Sequence, residues 1–151
     1  MVKASFHKLY FAYGMNTHLS HMASRCPDAK MVSPAYLSDY GFAFNRHATI
    51  FPNESTVTYG VLWRITPECE ASLDIYEGYP SYYKKRNVTM LVGEQLVIAM
   101  TYIMNDKEGQ APPDSAYFGA LAEAYQSHGL PLRQLKQAAR HVSFDYSDFL
   151  G

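Results

Sequence analysis

Hydrophobic and polar positions change period several times along the chain, and each change marks an element. Residues 6–12, FHKLYFA, form a short apolar run that reads as a first strand ending at the Gly14 turn. Across residues 17–25, Leu19, Met22 and Ala23 fall on one face at helical spacing, which predicts a short helix. Segments 35–45 (AYLSDYGFAFN) and 48–51 (ATIF) read as strands with turn chemistry between them and again at Pro52 and Asn53. Residues 56–65, TVTYGVLWRI, alternate and open on β-branched side chains, so they predict another strand.

A helix is expected over 66–77. Thr66 suits its cap, Pro67 its first position and Glu68 the positive end of its dipole, while Gly78 stops it with Pro80 beyond. Segments 83–92 (YKKRNVTMLV) and 96–104 (LVIAMTYIM) flank a short Gly93-containing connection and predict a hairpin. A polar loop, 105–114, leads to a helix capped by Asp114 or Ser115, running to about His128 and closed by Gly129; Pro131 opens a last helix. The order of five or six strands and three or four helices lacks the strict alternation of a doubly wound sheet. The expected class is α+β: a small mixed, antiparallel-rich β-barrel flanked by helices, in one domain over 1–151.

Composition narrows the functional classes. The chain is aromatic-rich, with 13 tyrosines and 8 phenylalanines, which suits a β-containing core or an aromatic-lined pocket. A formal charge of −1 and a lone basic run, Lys84-Lys85-Arg86, offer no footprint for nucleic acid. No stretch approaches the ~18 apolar residues of a membrane span, and the N-terminal residues lack a signal-peptide pattern. Cys26 and Cys69 lie far apart without CxxC spacing, so they are expected as buried thiols in a cytoplasmic setting rather than as a disulfide or metal site.

Candidate chemistry is sparse. His18 and His21 stand at a spacing that could hold a metal, but no third ligand accompanies them, so no metal is expected. Neither cysteine sits in the context of a nucleophile. Glu70, Asp74 and Glu77 share one face of the 66–77 helix; for Glu70 and Asp74 the expectation is a solvated acidic face. Glu77 differs. It occupies the last turn, against the helix dipole, and lies between Tyr76 and the Gly78-Tyr79-Pro80 segment. Two readings stand on these residues: a general base whose pKa is raised by burial, or a carboxylate offset by Lys84, Lys85 and Arg86.

Three blocks carry a resemblance. YFAYGMN at the end of the first strand looks like the YFAYGSN signature of the γ-glutamylcyclotransferase family. GVLWRITPECEASLDIYEGYPSYY resembles its strand–helix block ending in LD, EG and a tyrosine, and APPDSAYFGALAEAYQSHGLP is similar to its third block. The blocks occur in the family's order and span nearly the whole chain. The resemblance implies Glu77 as general base and a substrate-binding loop at Tyr10, Phe11, Ala12, Tyr13, Gly14, Met15 and Asn16, with Tyr83 and Tyr117 in the pocket. It implies a small β-barrel with helices, no cofactor, a small γ-glutamyl substrate as partner, and it allows a homodimer.

The implied reaction is intramolecular. The free α-amine of a γ-glutamyl compound attacks its own γ-carbonyl, 5-oxoproline closes, and the attached amine leaves. One departure bears on the substrate: Met15 stands where the family commonly has serine. That departure also feeds the alternative of a catalytically silent ligand- or partner-binding protein on the same fold, which an intact Glu77-Gly78 pair opposes.

Overall fold

The computed structural model describes residues 7–105 and 109–151. Phe6 of the expected first strand and residues 106–108 of the expected polar loop lie outside them. The elements run β1 (Lys8–Ala12), a 3-10 turn (Met15–Thr17), α1 (Leu19–Arg25), β2 (Lys30–Asn45), β3 (His47–Ile65) and α2 (Pro67–Glu77). There follow β4 (Tyr83–Val92), β5 (Gln95–Met104), α3 (Ser115–His128) and α4 (Arg133–His141). One five-stranded sheet has the order β2-β3-β1-β5-β4. The β1–β5 pairing is parallel and the others antiparallel. β2 and β4, the two edges, approach each other, and Arg86 Nη1 on β4 donates to the Tyr40 hydroxyl on β2 at 3.4 Å. No ladder joins them, so the sheet is strongly curled but open, and the barrel expectation holds only loosely.

The strands expected over 35–45, 48–51 and 56–65 merge into one long hairpin, β2–β3, of 16 and 19 residues. The turn chemistry at Pro52 and Asn53 makes a bulge instead of a break. Pro52 pairs with Tyr40 and Val57 with Ser38, so the intervening residues loop out opposite Asp39. Asp39 and Ser55 both take positive φ there, and the Ser55 N–H donates to Asp39 Oδ1 at 3.2 Å. The hairpin then continues to its tip at Arg46.

Helix boundaries follow their capping signals where a side chain makes the cap. Thr66 Oγ1 accepts from the Cys69 N–H at 3.1 Å, and Gly78 closes α2 in the left-handed region (φ 66°). Asp114 caps α3 through the Tyr117 N–H at 2.8 Å. Asn16 does not cap α1; the chain first makes the 3-10 turn, and α1 starts two residues later than expected.

The cysteines correct the sequence reading: Cys26 and Cys69 are joined by a disulfide. Cys26 ends α1 and Cys69 lies in the first turn of α2; the packing of these helices sets their Cα atoms 4.9 Å apart, within disulfide range. The bridge spans 43 residues of sequence, a proximity that no local spacing encodes. The core lies between the sheet and α3–α4, around fully buried Phe11, Phe44, Leu62, Phe118, Tyr125 and Leu135.

Candidate active site

Where β1 ends, the chain leaves the sheet at Tyr13 and crosses the C-terminal end of α2. Four hydrogen bonds fix this crossing. The Tyr13 hydroxyl donates to the Tyr102 carbonyl, the Tyr125 hydroxyl donates to the Tyr13 carbonyl at 2.6 Å, and Gln134 Nε2 donates to the Tyr125 hydroxyl at 2.9 Å. Trp63 Nε1 donates to the Asn16 carbonyl at 3.0 Å. The loop is thus fixed from β5, α3, α4 and β3, as a preorganised site requires. A Cβ on Gly14 would meet Ala48 Cβ and the Tyr117 hydroxyl at 3.3 Å, so glycine lets the loop lie this close to its neighbours.

A cavity of about 170 Å³ opens beside this loop. Its wall includes Tyr10, Tyr13, Gly14, Met15 and Asn16 from the first block and Glu77 from α2. Tyr83 and Tyr117, expected in the pocket, are there as well. Tyr83 is held by donation to the Ala48 carbonyl at 2.7 Å, while the Tyr117 hydroxyl accepts from the Ala48 N–H at 2.9 Å. Phe11 and Ala12 do not line the cavity; both are core residues, and strand alternation turns Phe11 to the other face of β1 from Tyr10.

Glu77 is half-buried at the cavity wall. Asn16 Nδ2 lies 3.3 Å from its Oε2 and 3.0 Å from the Tyr10 hydroxyl oxygen, donating to both. Burial pushes the Glu77 carboxyl up to about 7, and the positive charge of Arg25 only partly opposes this. Burial, with the Glu77 charge adding to it, holds Tyr10 and Tyr13 protonated far above the usual tyrosine range. The basic run does not offset Glu77: Lys85 pairs with Glu70 and Asp74, and Arg86 reaches Tyr40. Asn16 Oδ1, buried in the same place, has no hydrogen-bond partner among the described residues.

Glu70 and Asp74 also depart from expectation, being half-buried hubs of a network rather than a solvated face. Lys8 and Lys85 bond Glu70 at 2.8 and 2.7 Å, and Lys85 lies 2.9 Å from Asp74. Burial raises the Glu70 carboxyl, but the hydrogen bonds from the two lysines outweigh it and hold it below its usual range. Asp74 accepts from the Tyr102 hydroxyl at 2.6 Å, and Tyr102 is part of the cavity wall. The acidic face of α2 therefore fixes a pocket tyrosine.

Sequence reasoning missed Tyr76, Tyr82, Tyr102, His47 and Ala48, all of which line the cavity. Tyr102 had a signal in strand alternation, two residues before Met104 on the face that pairs with Tyr83; His47 and Ala48 come from the β3 end of the hairpin tip and had none. Outside the cavity, His18 pairs with Glu123 at 2.6 Å and meets the His21 ring edge-on; among the described residues no three His, Cys, Asp or Glu side chains gather as a metal would need.

Comparison with known proteins places the chain in a family. The family model described as gamma-glutamyl cyclotransferase, AIG2-like, matches residues 10–120. A Bos taurus gamma-glutamylcyclotransferase is 30% identical, the alignment covering 91% of this chain and 80% of the bovine protein. A Homo sapiens gamma-glutamylcyclotransferase is 28% identical over 92% of this chain and 81% of its own. A solved structure of a gamma-glutamyl cyclotransferase superposes with a TM-score of 0.80 at 26% identity, covering 96% of this chain and 92% of the other. The chain belongs to the gamma-glutamyl cyclotransferase, AIG2-like family and is an enzyme of the cyclotransferase class.

Proposed function

We propose that the chain cyclises the γ-glutamyl group of a γ-glutamyl amino acid, peptide or amine to 5-oxoproline, with Glu77 as general base and then general acid. The observation that carries this reading is a carboxyl of pKa about 7, set in a tyrosine-lined cavity and held by Asn16.

The match of proton affinities is the physical reason. An α-ammonium cannot attack a carbonyl, and its pKa is about 8. An ordinary glutamate, near 4.3, would face a mismatch of roughly 3.5 pKa units, about 5 kcal/mol, in taking that proton. With Glu77 at about 7, the mismatch shrinks to roughly one unit, ~1.4 kcal/mol. The unpartnered Asn16 Oδ1 beside it suits a second N–H of the ammonium, which would fix the amine for attack.

As the ring closes, negative charge grows on the γ-carbonyl oxygen. The Met15 and Asn16 N–H groups open the 3-10 turn at the cavity wall and donate to no partner among the described residues, so they suit that oxygen or the substrate carboxylate. Glu77, now protonated, returns its proton to the departing nitrogen, and the ring nitrogen, which still carries two protons after attack, loses one to the regenerated Glu77 carboxylate or to the released amine. No covalent enzyme intermediate is needed. Met15 is 9% exposed and lines the cavity, so its thioether occupies room that a serine would leave open and restricts the substrates that fit. The cytoplasmic setting expected from the sequence loses the support of free thiols, because both cysteines are bridged.

Incubating the protein with γ-glutamyl-alanine, glutathione and γ-glutamyl-ε-lysine, and measuring 5-oxoproline, tests the reading. Formation from at least one of them is expected. Inertness toward all three, with binding retained, would overturn it.

A further inference from the structure

Against Tyr76 of the Glu77 cavity, just outside the cavity wall, stands a cation to which the reaction above assigns no task. Tyr10, Tyr13, Tyr83 and Tyr102 are 2–6% exposed and form the floor, whereas Tyr76 and Tyr82, at 45% and 41%, mark the opening. Arg25, the last residue of α1, lays its guanidinium over the Tyr76 ring, 3.4 Å from the centroid. Among the described residues no carboxylate forms an ion pair with it. Its Nε is buried and has no hydrogen-bond partner among the described residues. The Cys26–Cys69 bridge starts at the very next residue and ties the end of α1 to α2, so Arg25 is held in place beside Tyr76 and Glu77.

A guanidinium partly stripped of water, stacked on an aromatic ring and in no direct ion pair among the described residues, is a ready carboxylate receptor, because its planar fork matches the two oxygens. His47 also lines this cavity, but burial lowers its pKa and leaves it neutral. If the γ-glutamyl head occupies the buried floor with its amine at Glu77, the part to be released extends past Tyr76 at the opening. Resting on the cyclisation reading, we infer that Arg25 binds the carboxylate of the leaving amino acid and is a specificity-determining residue that favours γ-glutamyl amino acids over γ-glutamyl amines. Arg25 also opposes the rise in the Glu77 pKa, but that effect acts alike on both substrate kinds. A ratio of activities therefore separates the two effects.

γ-Glutamyl-alanine and γ-glutamyl-ethylamine differ only by that carboxylate, so the ratio of their kcat/KM values isolates it. Wild type should prefer the alanine compound, and Arg25→Gln should reduce the preference by about ten- to a hundredfold, mostly through KM. Arg25→Met, which keeps the stem on the Tyr76 ring, serves as a second variant should the first fail to fold. A ratio unchanged in a folded variant would overturn the inference. Should wild type make 5-oxoproline from neither compound, the cyclisation reading falls, and calorimetric binding of the same two compounds decides the role of Arg25. Tighter binding of the alanine compound that is lost in the variant would support it, and equal binding would overturn it.

Discussion

Asn16 Nδ2 lies 3.3 Å from Glu77 Oε2, although the two residues are 61 positions apart in the chain. The same amide bonds the Tyr10 hydroxyl, so a buried polar residue of the first loop holds the carboxyl that ends α2. This contact joins the first and second sequence blocks into one site.

Replacing Asn16 by aspartate puts a second carboxyl beside Glu77, and two carboxylates in hydrogen-bond range cannot both ionise readily. The alkaline-rising limb of kcat/KM against pH, set near 7 by Glu77, should move up by about one unit or more in Asn16→Asp. Other charges facing Glu77, Arg25 above all, are the same in both proteins. A limb that stays in place would show that Asn16 does not touch the titrating group.

Glu77 should lower the stability of the fold. Its folded pKa, about 7, lies above its ordinary 4.5, so between these values the native state binds more protons than the unfolded chain. Stability therefore falls as pH rises from about 4.5 through about 7, by up to ~3 kcal/mol before allowance for solvent at the cavity. Glu77→Gln removes the charge, so chemical denaturation should find it more stable than wild type at pH 8 and little different at pH 4. Equal stabilities at pH 8 would contradict the burial of this carboxyl.

The Cys26–Cys69 bridge closes a segment of 43 residues, for which loop-closure entropy gives a stabilisation of at most about 4 kcal/mol. Adding a reductant during denaturant unfolding should lower the midpoint of wild type and leave that of the Cys26→Ser, Cys69→Ser double variant where it is. Insensitivity of wild type to the reductant would argue against the bridge.

What the sequence made legible was local. Thr66, Gly78, Asp114 and Gly129 carry their capping chemistry in their own side chains or lack of one, and α2 and α3 begin and end where those residues say. Glu77 stood out because its position opposes the helix dipole, and Tyr13-Gly14-Met15-Asn16 because a turn interrupts an apolar run; the dipole left two readings of Glu77 open, and both segments line the cavity. What stayed hidden depends on tertiary proximity. The merged β2–β3 hairpin depends on a bulge that Asp39 and Ser55 build jointly across strands, and the disulfide on the packing of α1 against α2. Arg25, the cation nearest in effect to Glu77, sits on another helix, while the neighbouring Lys85 is engaged by Glu70 and Asp74.

The central claim is that Glu77 moves the proton that allows ring closure. The most direct test measures 5-oxoproline release by wild type and Glu77→Gln on the same γ-glutamyl substrate, with folding checked by circular dichroism. Glutamine keeps the shape and the hydrogen bonding but cannot take the proton, so turnover should fall by about 10²–10⁴-fold. A folded Glu77→Gln protein turning over within tenfold of wild type would contradict the account.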